Sequence, residues 1–194
     1  MNFKLTLENL EELPNLPEVI LGNFDCNYTD LITLKNIPKI IEGGFFCSYT
    51  GISSLENGPK SVGGSFICNY NSLINLKGGP KRIGGHLLCN GNKLTTLEGM
   101  PQSIGGGFEC SNNKLVNLIG APKIVHGFFN CEFNYLVTLK GSPKIIDGYF
   151  HIYRNKLNSF LFGPKIFKDD FFPTFGKGNH LISMDYCSNV NFDT

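Results

Sequence analysis

The sequence predicts a mostly β solenoid: one parallel sheet built from 21-residue coils, extended or turn-like segments opposite it, and few or no helices. Three observations carry this. Proline falls at 17, 38, 59, 80, 101, 122, 143 and 164. Cysteine keeps the same period, at 26, 47, 68, 89, 110 and 131. The apolar residues between them hold fixed offsets from the proline. Self-similarity at a period of this length marks stacked coils, each coil one supersecondary unit.

Each element follows from its column. Three residues after the proline stands an aliphatic (Ile20, Ile41, Val62, Ile83, Ile104, Val125, Ile146). Five after it stands glycine, Gly22 through Gly148, which suits positive φ or a close backbone approach. Seven after it comes phenylalanine, with Leu87 the exception between Phe24 and Phe171, and nine after it the cysteine. This period-2 alternation reads as a short strand with Phe and Cys both inward. Twelve after the proline the column reads Thr29, Thr50, Asn71, Asn92, Asn113, Asn134 and Asn155. These side chains sit where the chain turns and can satisfy turn backbone groups, making a ladder along the axis. Leucines at offsets 14 and 17 complete the core. The rest of the unit is too short and too rich in Gly and Pro for a helix. One coil cannot bury enough apolar surface to offset its own ordering, so neighbours must complete the core.

The repeat defines the organisation. Residues 1–16 read as an N-terminal partial repeat, with Glu8 in the asparagine column. Residues 17–164 are seven 21-residue repeats. Residues 165–194 read as a degenerate repeat and C-terminal cap, because Asp169, Pro173 and Gly176 break the glycine, cysteine and asparagine columns. Nine strand positions are expected, from Phe3 to Phe171.

The string F-E-C-S-N-N-K-L-V-N-L-I-G-A-P-K (Phe108 to Lys123) resembles the leucine-rich-repeat pattern L-x-L-x-x-N-x-L, with Phe and Cys in the strand positions. The fuller form, with its Gly-Gly, Cys and Gly-x-Pro details, is similar to leucine-rich-repeat-like proteins of tailed bacteriophages and other large DNA viruses. The resemblance covers residues 3 to about 164. It implies a right-handed solenoid used for protein binding, with no catalytic motif. One form of such a function is an accessory protein that occludes a host defence component.

Net charge is +1, so no bulk field favours nucleic acid or a membrane surface. No apolar run is long enough to span a bilayer as a helix, and no signal peptide is expected. The seven cysteines include no C-x-x-C pair. Six of them share one inward column, so they read as a reduced core ladder rather than disulfides or metal ligands. Reduced thiols fit a cytosol, the host's if the chain is viral. No cofactor or metal is expected.

Function must therefore come from displayed side chains. Tyr28, Tyr49, Tyr70, Phe46, Ile67 and Leu88 are expected to form a solvent-facing patch on the strand face. Phe128, Phe133, Tyr149, His151, Tyr153 and Phe172 form a second group toward the C-terminus, with Tyr135 beside it. Exposed apolar-aromatic surface marks interaction sites. The expected partner is another protein, host or viral, or a second copy of the chain. A virion assembly component and a small-molecule or nucleic-acid binder are the rival classes. Catalysis finds no support: the nearest constellation is His151 with Tyr149, Tyr153, Glu132 and Asp170. The row Lys39, Lys60, Lys81, Lys123, Lys144 and Lys165 reads as a solvated face that blocks edge pairing, and Lys35, Glu56, Lys77 and Glu98 alternate in sign.

Overall fold

A computed structural model describes residues 2–4, 16–101, 103–167 and 191–192. It is a parallel β-solenoid with a 21-residue repeat, and the described residues contain no helix. Each coil contributes two strands of two residues. The phenylalanine strands run from Phe3–Lys4 and Phe24–Asp25 to Phe150–His151 and make one eight-stranded sheet. Pairing is parallel and in register by whole repeats: Phe24 opposes Phe45, Phe66 opposes Leu87, and Phe129 opposes Phe150. Eight parallel strands extend about 34 Å along the axis at about 4.8 Å per step. The ninth expected position, Phe171, lies outside the described residues.

The opposite side is more ordered than the sequence suggests. The aliphatic column also pairs, from Val19–Ile20 to Ser103–Ile104 in a five-stranded ladder. A second ladder runs from Ile124–Val125 through Ile145–Ile146 and Ile166–Phe167 to Asn191–Phe192. The two-residue strands are too short for a hydrophobic alternation to announce them. Only stacking supplies the hydrogen-bond partners.

The core is one continuous column set. Phe24, Phe45, Phe66, Phe108, Phe129 and Phe150 are fully buried, as are the six cysteines and the leucines at both offsets. The phenyl rings meet rung to rung at 5.2–5.8 Å. The cysteines are free thiols. Those of Cys26, Cys89 and Cys131 donate to carbonyls of the next rung, Phe46 at 3.3 Å, Glu109 at 3.3 Å and His151 at 3.5 Å. Burial, first of all, holds all six thiols well above their ordinary pKa, and neighbouring thiols or carboxylates add to this for most of them.

The asparagine ladder closes each turn. The Asn113 amide donates to the carbonyls of Cys89, Cys110 and Ser111, each at 3.1 Å, and its oxygen accepts from Leu94 N at 2.9 Å. Asn92, Asn134 and Asn155 repeat this arrangement. Thr29 manages less, its hydroxyl donating to Cys26 O at 2.8 Å; the Thr50 hydroxyl lies 3.2 Å from Cys47 O and 3.0 Å from Asn71 Oδ1, which also accepts from Thr50 N and Gly51 N.

The glycine columns divide by role. Gly43 and Gly64 approach the neighbouring coil; a Cβ on Gly64 would lie 2.8 Å from Gly44 N. Their φ is ordinary, so close approach is the reason for glycine. On this side of the coil positive φ belongs instead to the residue two before each proline from Pro38 to Pro164: Asn36, Asn57, Gly78, Gly99, Gly120, Gly141 and Phe162. There an i→i+3 bond closes the turn, as from Gly58 N to Leu55 O at 3.1 Å, giving the signature of a type II turn. The buried prolines that follow need no donor.

Candidate functional site

The outward tyrosines do not lie on the strand itself. Tyr28, Tyr49 and Tyr70 occupy the turn after each phenylalanine strand, with φ of 58°, 55° and 52°. This corrects the strand-face assignment. Left-handed backbone is unfavourable for a bulky L-residue by about 1–2 kcal/mol. The same column in later coils carries Gly91, which suits that backbone, and Asn112, Phe133 and Arg154, which share it.

Stacking offsets the strain. Tyr28 and Tyr49 lie 4.9 Å apart at 10°, and Tyr49 and Tyr70 4.6 Å apart at 16°. Such pairs contribute about 0.5–1.5 kcal/mol beyond burial. Their edges remain in water: Tyr28 is 63% exposed and Tyr49 46%. Lost hydration within the stack, then the Tyr70 and Tyr28 phenols, raise the Tyr49 pKa. Tyr70 ends the ladder by lying over Gly91, where a Cβ would meet the ring at 2.5 Å.

Phe46, Ile67 and Leu88 do sit on the strand face, but half-buried rather than solvent-facing. The Phe46 ring folds over Gly44, whose missing Cβ leaves the space. The polar neighbours of this face are tied down. Asn27 Oδ1 accepts from Ser48 N at 2.7 Å, Ser48 Oγ from Asn69 N at 3.1 Å, and Asn69 Oδ1 from Asn90 N at 3.1 Å. The tyrosines therefore project from a rigid frame.

The C-terminal group is built differently. Phe128 lies across Gly107 and stacks on His86 at 5.4 Å on one side and Tyr149 at 5.8 Å on the other. Tyr149 stacks on His151 at 4.8 Å, and His151 Nδ1 lies 3.8 Å from Glu132. Phe133 meets Tyr153 edge-on at 5.8 Å, and the Arg154 guanidinium lies over both rings. Lys156 sits 4.8 Å over Tyr135. Phe172 and Asp170 lie outside the described residues. His86 belongs to this group although it stands two coils from Phe128. Its signal was the glycine at 107 in the column between them. An exposed aliphatic row, Ile32, Ile74, Val116 and Val137, also escaped the sequence reading.

His86 Nδ1 accepts from Gly107 N at 2.8 Å and so serves the backbone. His126 Nδ1 pairs with Asp147 at 2.8 Å. Among the described residues no group of three or more His, Cys, Asp or Glu could hold a metal ion. No helix there is long and apolar enough to cross a membrane.

The fold and these surfaces define a β-solenoid repeat protein. No protein-family model matches the chain, and neither a curated protein nor a solved structure matches it.

Proposed function

We propose that this is a non-enzymatic binding solenoid that recognises another protein through its tyrosine ladder and the adjoining strand face. One observation carries the reading: three consecutive coils hold exposed tyrosines in left-handed backbone, stacked face to face at 4.6–4.9 Å, where later coils carry the unlike residues Gly91, Asn112, Phe133 and Arg154. Strained backbone of this kind concentrates at functional positions. Rings already stacked and anchored lose little freedom on association, which favours affinity, and tyrosine is a frequent hot-spot residue. In keeping with the resemblance to viral leucine-rich-repeat-like proteins, the partner would be a host or viral protein in the cytoplasm, and the mechanism simple occlusion.

The test compares wild type with Phe46→Ser/Tyr49→Ser/Ile67→Ser, both first verified as folded and sized by light scattering. Protein captured by wild type from host lysate is identified, purified and titrated against both forms. Saturable binding that weakens at least tenfold in the variant supports the proposal. Equal affinity for the two overturns it, and a wild-type oligomer that the variant dissociates assigns the face to self-association instead.

A further inference from the structure

A different face repeats one charge where stacking disfavours it. The residues after the prolines form two straight runs along the axis, Glu18 to Lys81 and Lys123 to Lys165, with Gln102 between them in the sequence. Lys39 N donates to Glu18 O at 2.9 Å, Lys60 N to Lys39 O at 2.8 Å, and Lys81 N to Lys60 O at 3.0 Å. In the second run Lys144 N donates to Lys123 O at 2.8 Å and Lys165 N to Lys144 O at 3.0 Å. These contacts fix the rungs at about 4.8 Å. Lys60, Lys81 and the adjacent Arg82 are exposed, and Lys39 is half-buried with its Nζ on Asn57 O at 2.9 Å.

The neighbouring row Lys35, Glu56, Lys77, Glu98 shows the alternative. It alternates in sign, and Lys77 pairs with Glu98 at 2.9 Å. Two unit charges one rung apart interact by about 0.9 kcal/mol even in water, so alternation gains and repetition costs. Over residues 16–167 the chain has fourteen Lys and Arg against nine Asp and Glu. The post-proline row with Arg82 holds seven of the basic residues and one acid, Glu18; the remainder is balanced, seven against eight. Protection of a sheet edge does not account for the row. It runs along the stack, and its backbone is already paired on both sides at Lys39, Lys60 and Lys144.

Lys39, Ile40, Lys60, Ser61, Lys81 and Arg82 line a shallow open depression, with Glu18 at its end. Two flanking acids, Glu56 and Glu98, line a second depression shared with Lys60, Lys77 and Lys81, and a third, Glu42, is exposed three residues after Lys39. Neither lining contains an aromatic ring, so the row offers no platform on which bases could stack.

The geometry points to a binding edge for a linear polyphosphate chain, held by charge alone along Lys39, Lys60, Lys81 and Arg82. Phosphates packed more closely than the rungs meet each ammonium without needing a register. This face is separate from the tyrosine ladder, so either reading can fail alone.

End-labelled inorganic polyphosphate of defined length would be titrated by fluorescence anisotropy against wild type, Lys39→Gln/Lys60→Gln/Lys81→Gln, and the charge-matched control Lys93→Gln/Lys114→Gln/Lys156→Gln. All three are first checked for equal thermal melting. The expected result is wild-type and control binding that the row variant weakens at least tenfold. The log–log salt slope should be roughly −2 to −3 for three to four neutralised phosphates, as for single strands, and shallower in the row variant. Equal weakening in both variants would reduce the effect to net charge and overturn the proposal. So would absence of binding at low salt, binding to anionic vesicles but not polyphosphate, or a base-dependent preference for single-stranded DNA.

Discussion

The two halves of this solenoid share one backbone and differ in how their surface rings meet. In the N-terminal half identical tyrosines occupy equivalent rungs and stack nearly parallel, at 4.6–4.9 Å. In the C-terminal half the same turn column carries Phe133 and Arg154, and the contacts become edge-on or cation–π. The interior differs in parallel. Thr29 offers its one hydroxyl to Cys26 O, and Thr50 shares its hydroxyl between Cys47 O and Asn71 Oδ1, whereas the two amide hydrogens of Asn113 reach three carbonyls and its oxygen accepts from Leu94 N. In-register stacking turns a column of like residues into a continuous ladder and a column of unlike residues into local clusters. The N-terminal half therefore presents one regular ridge, above turns in which Asn71 ties the Thr50 coil by accepting from Thr50 N and Gly51 N. The C-terminal half presents a patchwork above an unbroken asparagine ladder.

The largest expected effect would erase that difference. The thiol column runs through both halves, and burial raises all six pKa values above the ordinary 9.0. Above pH 9 the unfolded thiols ionise while the folded ones stay protonated. The unfolded state then binds fewer protons, and stability falls as pH rises; below that it is unaffected by these groups. Each thiol contributes a loss of about 1.4 kcal/mol per pH unit. Denaturation midpoints measured from pH 7 to 11 should be flat and then collapse beyond pH 9. A flat profile to pH 11 would mean the thiols are not desolvated.

Next in size, Asn113→Ala should sharpen the contrast between the two turn chemistries. It strands Leu94 N in a buried turn, at about 1–3 kcal/mol, and removes one of two amide donors from the carbonyls of Cys89 and Cys110, which keep Asn92 and Asn134 at 3.1 and 3.0 Å. Chemical denaturation should show a loss of roughly 2–3 kcal/mol. Thr29→Val, removing one hydroxyl bond, should cost about 1 kcal/mol. Equal losses would dissolve the distinction between the halves.

Tyr49→Asn separates structure from recognition. It exchanges two ring contacts for a residue that tolerates left-handed backbone, as Asn112 does. Stability should stay within about 1 kcal/mol of wild type, while partner affinity falls at least tenfold. The smallest change is expected from Arg154→Ala, which removes exposed cation–π contacts to Phe133 and Tyr153 and should cost about 0.5–1 kcal/mol by thermal melting.

Much of this architecture was legible because a strict period makes every column an independent witness. The inward Phe and Cys columns, the Thr/Asn ladder and the offset of the leucines all read directly from spacing. The surface was harder. Phe46, Ile67 and Leu88 alternate with buried residues and so read as exposed, yet Phe46 folds over Gly44 and all three are half-buried. The tyrosine column follows the strand so closely that it read as strand, and nothing in a Tyr side chain announces positive φ.

The sequence alone determined the period, the identity of the core columns and the division of the chain into coils, because these depend only on which residue recurs at which offset. The stacked structure decided the rest. It turned the aliphatic column into further parallel ladders, set the tyrosines in left-handed turns, and laid Phe128 across Gly107 onto His86. Each of those outcomes depends on atoms from neighbouring coils meeting at contact distance. Residues 21 or 42 positions apart in the chain become neighbours only when the coils are stacked.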